Sequence, residues 1–397
     1  MSSEIILRRA ELQLARVHRA AHGTVAARPT LIVEFRVEDA DGAVSGWGEC
    51  PALPEPGYSP EYTDGAQAML AERIIPAVAS GGVLDPGSVT ATLSAVPDAD
   101  QHPMARSALA LAADDLAARQ SGDTLASRWG ATVDLVPAGA ALSPGGPLPD
   151  DDGGRKARLA ALAAEAIELA NAGYRRLKVK VSPGDDVDPA RAVIEALRSG
   201  PHRAVEVAVD ANASYRLDDP AHADALRRLD RLGLTWIEQP LAAEDLDGHA
   251  RLAELLTTRL CLDESITSVG AAEAAVHAAI DPIVCVKWAR LGGPTEARRL
   301  LAWCHANGVD AYVGGMLSSG IGRACDRALA ALPGANRTGD LGADSQYFHE
   351  DIASAVFLSA GAVPVMSEPN ERGLGILVDR ERLTRLTTSI QHWAVGT

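Results

Sequence analysis

A chain of 397 residues, 47% hydrophobic and 23% charged, has enough apolar content to bury a sizeable core, which excludes global disorder. Its formal charge of −16, with no local basic stripe, excludes nucleic-acid binding. Charges interrupt every apolar stretch well short of the ~18 residues a membrane span needs, and Met1–Leu14 does not read as a signal peptide, so a cytoplasmic protein is expected.

The first hundred residues read as strands followed by helices. Residues 5–17 and 30–37 alternate as strands do, Asp41-Gly42 marks a hairpin turn before a strand at 45–48, and 66–79 and 104–119 carry apolar residues at helical spacing. From about residue 136 the rhythm becomes strand, helix, strand, helix. Strands are expected at 137–142, 177–181, 205–209, 235–238, 260–262, 283–287 and 310–313. Helices are expected at 155–172, 188–199, 220–232, 245–258, 269–280, 294–307 and 322–332, often closed by glycine, as at Gly173, Gly233 and Gly308. Seven such units suit a closed (β/α) barrel better than an open sheet. The expected class is therefore α/β, a modified TIM barrel over residues 131–359 with an α+β capping domain over residues 1–130. Strand-like pieces at 363–382 suggest that a tail from about residue 360 packs back on that domain. The run Asp150–Asp152 reads as a solvated acidic turn. The five cysteines, Cys50, Cys261, Cys285, Cys304 and Cys325, are odd in number and lack C-x-x-C spacing, so buried free thiols are expected rather than disulfides or a zinc site.

In such a barrel the active site lies at the carboxyl ends of the strands. Those ends carry Lys178 and Lys180, Asp210 and Asn212, Glu238, Asp263 and Glu264, Lys287, and Gly314-Gly315-Met316-Leu317. Three carboxylates on consecutive strand ends, Asp210, Glu238 and Asp263, can all stay ionised in one pocket only around a cation, and hard oxygen donors favour Mg²⁺ or Mn²⁺. Asn212 and Glu264 read as groups that orient those ligands. Lys178 and Lys180 point to one face, and two ammonium groups there should lower the pKa of one or both, giving a general base. Lys287 lies across the barrel, where it either donates a proton or stabilises an anion, or simply pairs with a nearby Asp; its position leaves both open. Gly314-Gly315 lets the backbone approach a ligand, or forms a tight turn.

Taken together, the strings KVK (178–180), VDAN (209–212), IEQPL (237–241), LDESI (262–266), VKWARLGG (286–293) and GGMLSSGIGRA (314–324) resemble, in order and spacing, the muconate-lactonizing-enzyme subgroup of the enolase superfamily. GWGEC (46–50), PGYSPE (56–61) and the segment 102–119 are similar to that family's capping domain. The endings at 314–324 and 339–352 look most like o-succinylbenzoate synthases and N-succinylamino acid racemases. The resemblance implies Mg²⁺ on Asp210, Glu238 and Asp263, Lys180 as the base beside Lys178, and Lys287 opposite. It implies a small carboxylate substrate, dehydrated through an enediolate to o-succinylbenzoate on the way to menaquinone. The other readings are racemisation of N-succinylamino acids by the same two lysines, or an inactive relative that keeps the site as a binding scaffold. Self-association is expected for such a barrel. Departures fall at His18–Thr24, where relatives carry two phenylalanines in a loop over the substrate and where His22 is expected to contact it. Others are Ser318-Ser319, where relatives often have Glu-Ser or Glu-Thr, and Trp288-Ala289.

Overall fold

The computed structural model describes residues 2–20, 23–39 and 42–396. The chain begins with three long antiparallel strands, β1 (Ser2–Ala20), β2 (Gly23–Asp39) and β3 (Gly42–Cys50). β1 and β2 run well past the expected ends, pairing as far as Ala20 with Gly23 through a register shift between Gln13 and His18. Residues 18–20 thus pair with 23–25 and continue the hairpin ladder, and His22, expected at the substrate, lies outside the described residues. The helix Pro103–Ser121 packs on β3, and the contact demands glycine. A Cβ at Gly48 would come within 1.8 Å of the Ala108 carbonyl oxygen.

The rest of the strands follow as β4 (Leu135–Pro137), β5 (Gly139–Leu142), β6 (Arg176–Lys180), β7 (Glu206–Asp210), β8 (Ile237–Glu238), β9 (Leu260–Leu262), β10 (Ile283–Val286), β11 (Ala311–Val313), β12 (Ala362–Pro364) and β13 (Thr387–Ala394). Strands β5 to β11 form one parallel sheet in sequence order. Each crossover helix turns an apolar stripe to the sheet. Val187–Ser199, for example, buries Val187, Ala190, Val193, Ile194 and Leu197 at helical spacing. The seam between β11 and β5 holds the extended segment 337–340. Arg337 and Asp340 donate backbone N–H bonds to Ala311 and Val313, and Gly339 bridges Ala138. The eighth position of the barrel is therefore irregular backbone rather than a regular strand.

The strand that joins the N-terminal sheet is β13, antiparallel to β1, whereas Ala362–Pro364 in the 363–382 region pairs with β4. Asp151, in the acidic turn, caps the helix Asp152–Ala172 by accepting from Gly154 N at 2.7 Å. All five cysteines are buried and free. Among the described residues no helix is long and apolar enough to cross a membrane.

Two buried acids tie the layers together. Glu49 of β3 accepts from Thr30 Oγ1 (2.9 Å), Ser319 N (2.9 Å), Ser319 Oγ (2.7 Å) and Gly322 N (2.9 Å), so a carboxylate from the N-terminal sheet sits on the N-terminus of the barrel helix Gly320–Ala330. Glu49→Ala leaves those donors unpaired and is expected to cost roughly 3 kcal/mol in urea unfolding; a change within about 0.5 kcal/mol would contradict this. Asp326, on the same helix, accepts from Trp288 Nε1 at 2.8 Å, and burial above all pushes its carboxyl up to about 7. Between the ordinary value of about 3.9 and 7, the folded chain keeps a proton that the unfolded chain has released. Stability from this group is therefore full below pH ~4 and lost as pH rises through 7, a span of roughly 2–4 kcal/mol. Asp326→Asn keeps an acceptor for the indole, so it should flatten that part of the pH–stability curve in thermal melts. An unchanged slope would show that Asp326 is not the titrating group.

Candidate active site

Alternation along each parallel strand sends every second side chain into the barrel. A lower inner layer is built from Ala208, Trp236, Cys261, Ile283, Cys285 and Tyr312, all buried. One strand step higher stand Asp210, Glu238, Asp263, Lys287 and Gly314. The layer below is stiffened by aromatic stacking. The Trp236 and Tyr312 rings lie 5.4 Å apart, and the Arg176 guanidinium sits 5.1 Å from each.

The upper layer is a network of alternating charges. Lys178 Nζ donates to Glu238 Oε1 (2.7 Å), Asp340 Oδ2 (2.8 Å) and Tyr312 OH (3.1 Å), and lies 3.7 Å from Asp210 Oδ2. Lys180 Nζ donates to Asp210 Oδ2 (2.6 Å) and Asn212 Oδ1 (2.9 Å). Across the barrel, Lys287 Nζ donates to Asp263 Oδ2 (2.7 Å) and Tyr58 OH (3.0 Å), with the Tyr58 ring centre 4.7 Å away. Arg290 NH1 reaches Asp263 Oδ1 at 2.6 Å and also contacts Tyr58 OH. Lys180 and Lys287 thus stand on β6 and at the end of β10, four strands apart, and both line one cavity of about 110 Å³.

The expected mutual depression of the two lysines is not what the structure shows for Lys178. Burial alone would lower its pKa, but Asp340, Glu238 and Asp210 outweigh burial and hold it well above the usual value. The facing ammonium groups are each neutralised by their own carboxylates. Lys287 is likewise raised, because Asp263 and Tyr58 outweigh burial, while Arg290 opposes them. Asp263 is held far below the carboxylate range despite burial, by Lys287 and Arg290. Glu238 is raised by burial, and Glu264 is pushed up to about 8 by burial and then by Asp263 and Asp210.

Asn212 donates to Glu264 Oε1 at 3.1 Å while accepting from Lys180, so Asn212 and Glu264 brace the end of β7. Gly315, Met316 and Leu317 line the cavity wall. Gly314 acts from behind: a Cβ there would lie 2.4 Å from Cys285 Sγ and 3.0 Å from Lys287 Cε. The 316–317 wall is pinned from the N-terminal sheet by Arg28, which donates to the carbonyls of Met316 (3.1 Å) and Leu317 (3.4 Å). Backbone strain collects here, with Asn212, Gln239 and Leu317 at φ of 43°, 35° and 54°. Gln239 Oε1 in turn accepts from Asp263 N at 2.9 Å.

The donor set suits a divalent cation. The ammonium of Lys178 already draws Glu238 and Asp210 inward, Glu264 Oε2 is buried with no hydrogen-bond partner, and Glu238, Asp263 and Cys285 hold ligand atoms within 4.8 Å of one another. Asp210 lies outside that last group, held by Lys180. Tyr58, Arg290, Asp340 and Tyr312 were not singled out from the sequence. Asp340 answers the two cations of β6 that face the barrel interior, Arg176 and Lys178, and no periodicity in the segment that carries it marks it.

The model for the enolase C-terminal domain-like family matches residues 160–382. The chain is 37% identical over 390 residues to an N-succinylamino acid racemase of Amycolatopsis sp, covering 98% of both chains. It is 37% identical over 385 residues to an o-succinylbenzoate synthase of Geobacillus kaustophilus, covering 96% of this chain and 95% of the relative. A solved enolase-superfamily member from Listeria innocua superposes with a TM-score of 0.85 at 29% identity, covering 99% of this chain and 98% of the other.

Proposed function

Because this chain belongs to the enolase superfamily, we propose that it removes the proton α to a carboxylate, and that its reaction is the dehydration of 2-succinyl-6-hydroxy-2,4-cyclohexadiene-1-carboxylate to o-succinylbenzoate, in menaquinone biosynthesis. The supporting observation is the pair of lysines, Lys180 and Lys287, on opposite sides of one cavity with Asp210, Glu238 and Asp263 between them. Those three carboxylates would hold Mg²⁺, which when bound supplies positive charge against the substrate carboxylate oxygens as they become an enediolate. Lys180 Nζ, free of Asp210, takes the α-proton. It then returns that proton to the departing hydroxyl, so the C–H and C–O bonds break on one face and water leaves as the ring becomes aromatic. The Lys287 ammonium offsets the growing negative charge from the other side. Met316 and Leu317 form the wall that keeps water from the anion.

Racemisation of N-succinylamino acids is the second reading, supported by the placement of Lys180 and Lys287 on opposite sides of one cavity, where one takes the proton and the other returns it. Both readings are tested with purified protein and Mg²⁺, by following the aromatic product and, separately, the loss of optical rotation of an N-succinylamino acid. A kcat/KM of ~10⁴ M⁻¹s⁻¹ or above on the diene, abolished by EDTA, supports the synthase. Turnover of the amino acid alone replaces it with the racemase.

A further inference from the structure

We propose that Glu238, Asp263 and Cys285 form a site for a thiophilic divalent cation, Zn²⁺ or Cd²⁺, and that occupation of this site competes with Mg²⁺; the competition rests on the reading that Asp210, Glu238 and Asp263 hold Mg²⁺. Cys285 is on β10 and Asp263 immediately follows β9, the adjacent strand, and Cys285 stands two residues before Lys287, so all three side chains face the barrel interior. One carboxylate oxygen each of Glu238 and Asp263 and the Sγ of Cys285 lie within 4.8 Å of one another, and all three residues are fully buried. Ligands at ordinary Zn–S and Zn–O lengths around a tetrahedral ion stand about 3.6 Å apart, so a small inward movement closes the set. Gly314 leaves the thiol its room, since a Cβ there would lie 2.4 Å from Sγ.

The chemistry separates the two kinds of cation. Magnesium takes hard oxygen donors in an octahedral shell and gains nothing from sulfur, whereas a thiolate selects zinc or cadmium. The soft ion does not need Asp210, which can remain on Lys180 at 2.6 Å. One oxygen of each carboxylate must be released, on Glu238 by Lys178 or by Tyr312 and Trp236, and on Asp263 by Lys287 or Arg290, as for magnesium. On binding, the S–H bond of Cys285 breaks, an S–metal bond forms, and the proton passes to solvent with no change in oxidation state. The pairing of Asp210 with Lys180 then persists, so a chain loaded this way keeps its base blocked.

The test is titration of the metal-free full-length protein with Cd²⁺, read by the ultraviolet sulfur-to-cadmium charge-transfer band, with no substrate present. A band that saturates near one equivalent is expected, together with displacement by stoichiometric Zn²⁺ but by Mg²⁺ only at roughly a hundredfold excess or more. C285S should lose the band, while C261S, on the neighbouring strand, and D210N should keep it, with circular dichroism confirming that each variant is folded. Absence of the band in the unmodified protein overturns the proposal without recourse to any variant, as does a band that survives in C285S or vanishes in C261S. Because the readout needs no turnover, a cadmium band without catalysis would count against the functional reading alone. Catalysis without the band would count against this one alone.

Discussion

Lys180→Ala is expected to lower the rate of α-proton removal by at least about 10³-fold while leaving the fold intact, since the side chain is one of the few charged groups in the barrel mouth that retains solvent contact. The loss should appear in two assays. Formation of the aromatic product should fall to background, and exchange of the substrate's α-proton for deuterium, followed by proton NMR, should cease. If alanine at 180 retained exchange within about tenfold of the unmodified protein, the base would have to be sought elsewhere in the cavity. Removing Lys180 also frees Asp210 from its 2.6 Å partner, so Mg²⁺ affinity should hold or rise. That separates loss of the base from loss of the metal.

The second large effect is expected at Asp263. Its carboxylate is fully buried and carries both Lys287 (2.7 Å) and Arg290 (2.6 Å). Asp263→Asn keeps the shape and removes the charge, leaving two cations facing each other without a counter-ion. Breaking a buried pair in this one-sided way costs about 3–5 kcal/mol, and calorimetry should also show Mg²⁺ binding weakened by at least about a hundredfold. The pH dependence has a definite sign. Because its folded pKa is depressed, Asp263 contributes stability above the ordinary carboxylate value of about 3.9, and that contribution is lost as the pH falls below it. The variant should therefore differ most from the unmodified protein at neutral pH and least in acid. Equal stability at pH 7 would mean that Lys287 and Arg290 find other partners.

The barrel was legible in the sequence because each βα unit carries its own punctuation. An apolar strand ends in a charged or glycine residue, an amphipathic helix follows, and a glycine such as Gly173 closes it in the left-handed region. What the sequence did not show depends on contacts between distant segments. Tyr58 lies in a loop before the first helix, yet meets Lys287 and Arg290. Asp340 lies in the irregular seam, where no periodicity marks it, yet it pairs with Arg176 and Lys178. The raised pKa of Lys178 follows from that pairing, so a count of nearby lysines alone gave the wrong sign. β13 escaped notice because only Ile390 and Trp393 are large apolar residues within it, and its side chains are mostly exposed. Its strand character comes from the free edge of β1 rather than from its own pattern. The five-residue π-helical stretch Leu70–Ile74 within the expected helix at 66–79 is equally invisible to periodicity.

The pairing of β13 with β1 joins residues 4 and 394 in one ladder. The edge of β1 can therefore be covered only after every barrel unit has emerged from the ribosome. Until then a nascent chain carries a long unpaired strand edge, of the kind that recruits other chains. Closing a loop of that length is slow, so the N-terminal sheet should be the last part of the molecule to become resistant to proteolysis during synthesis. A cavity walled by Tyr58 and held by Arg28 would then be complete only after β13 has emerged, and trimming the chain before residue 387 would leave the barrel formed but the edge of β1 without its partner.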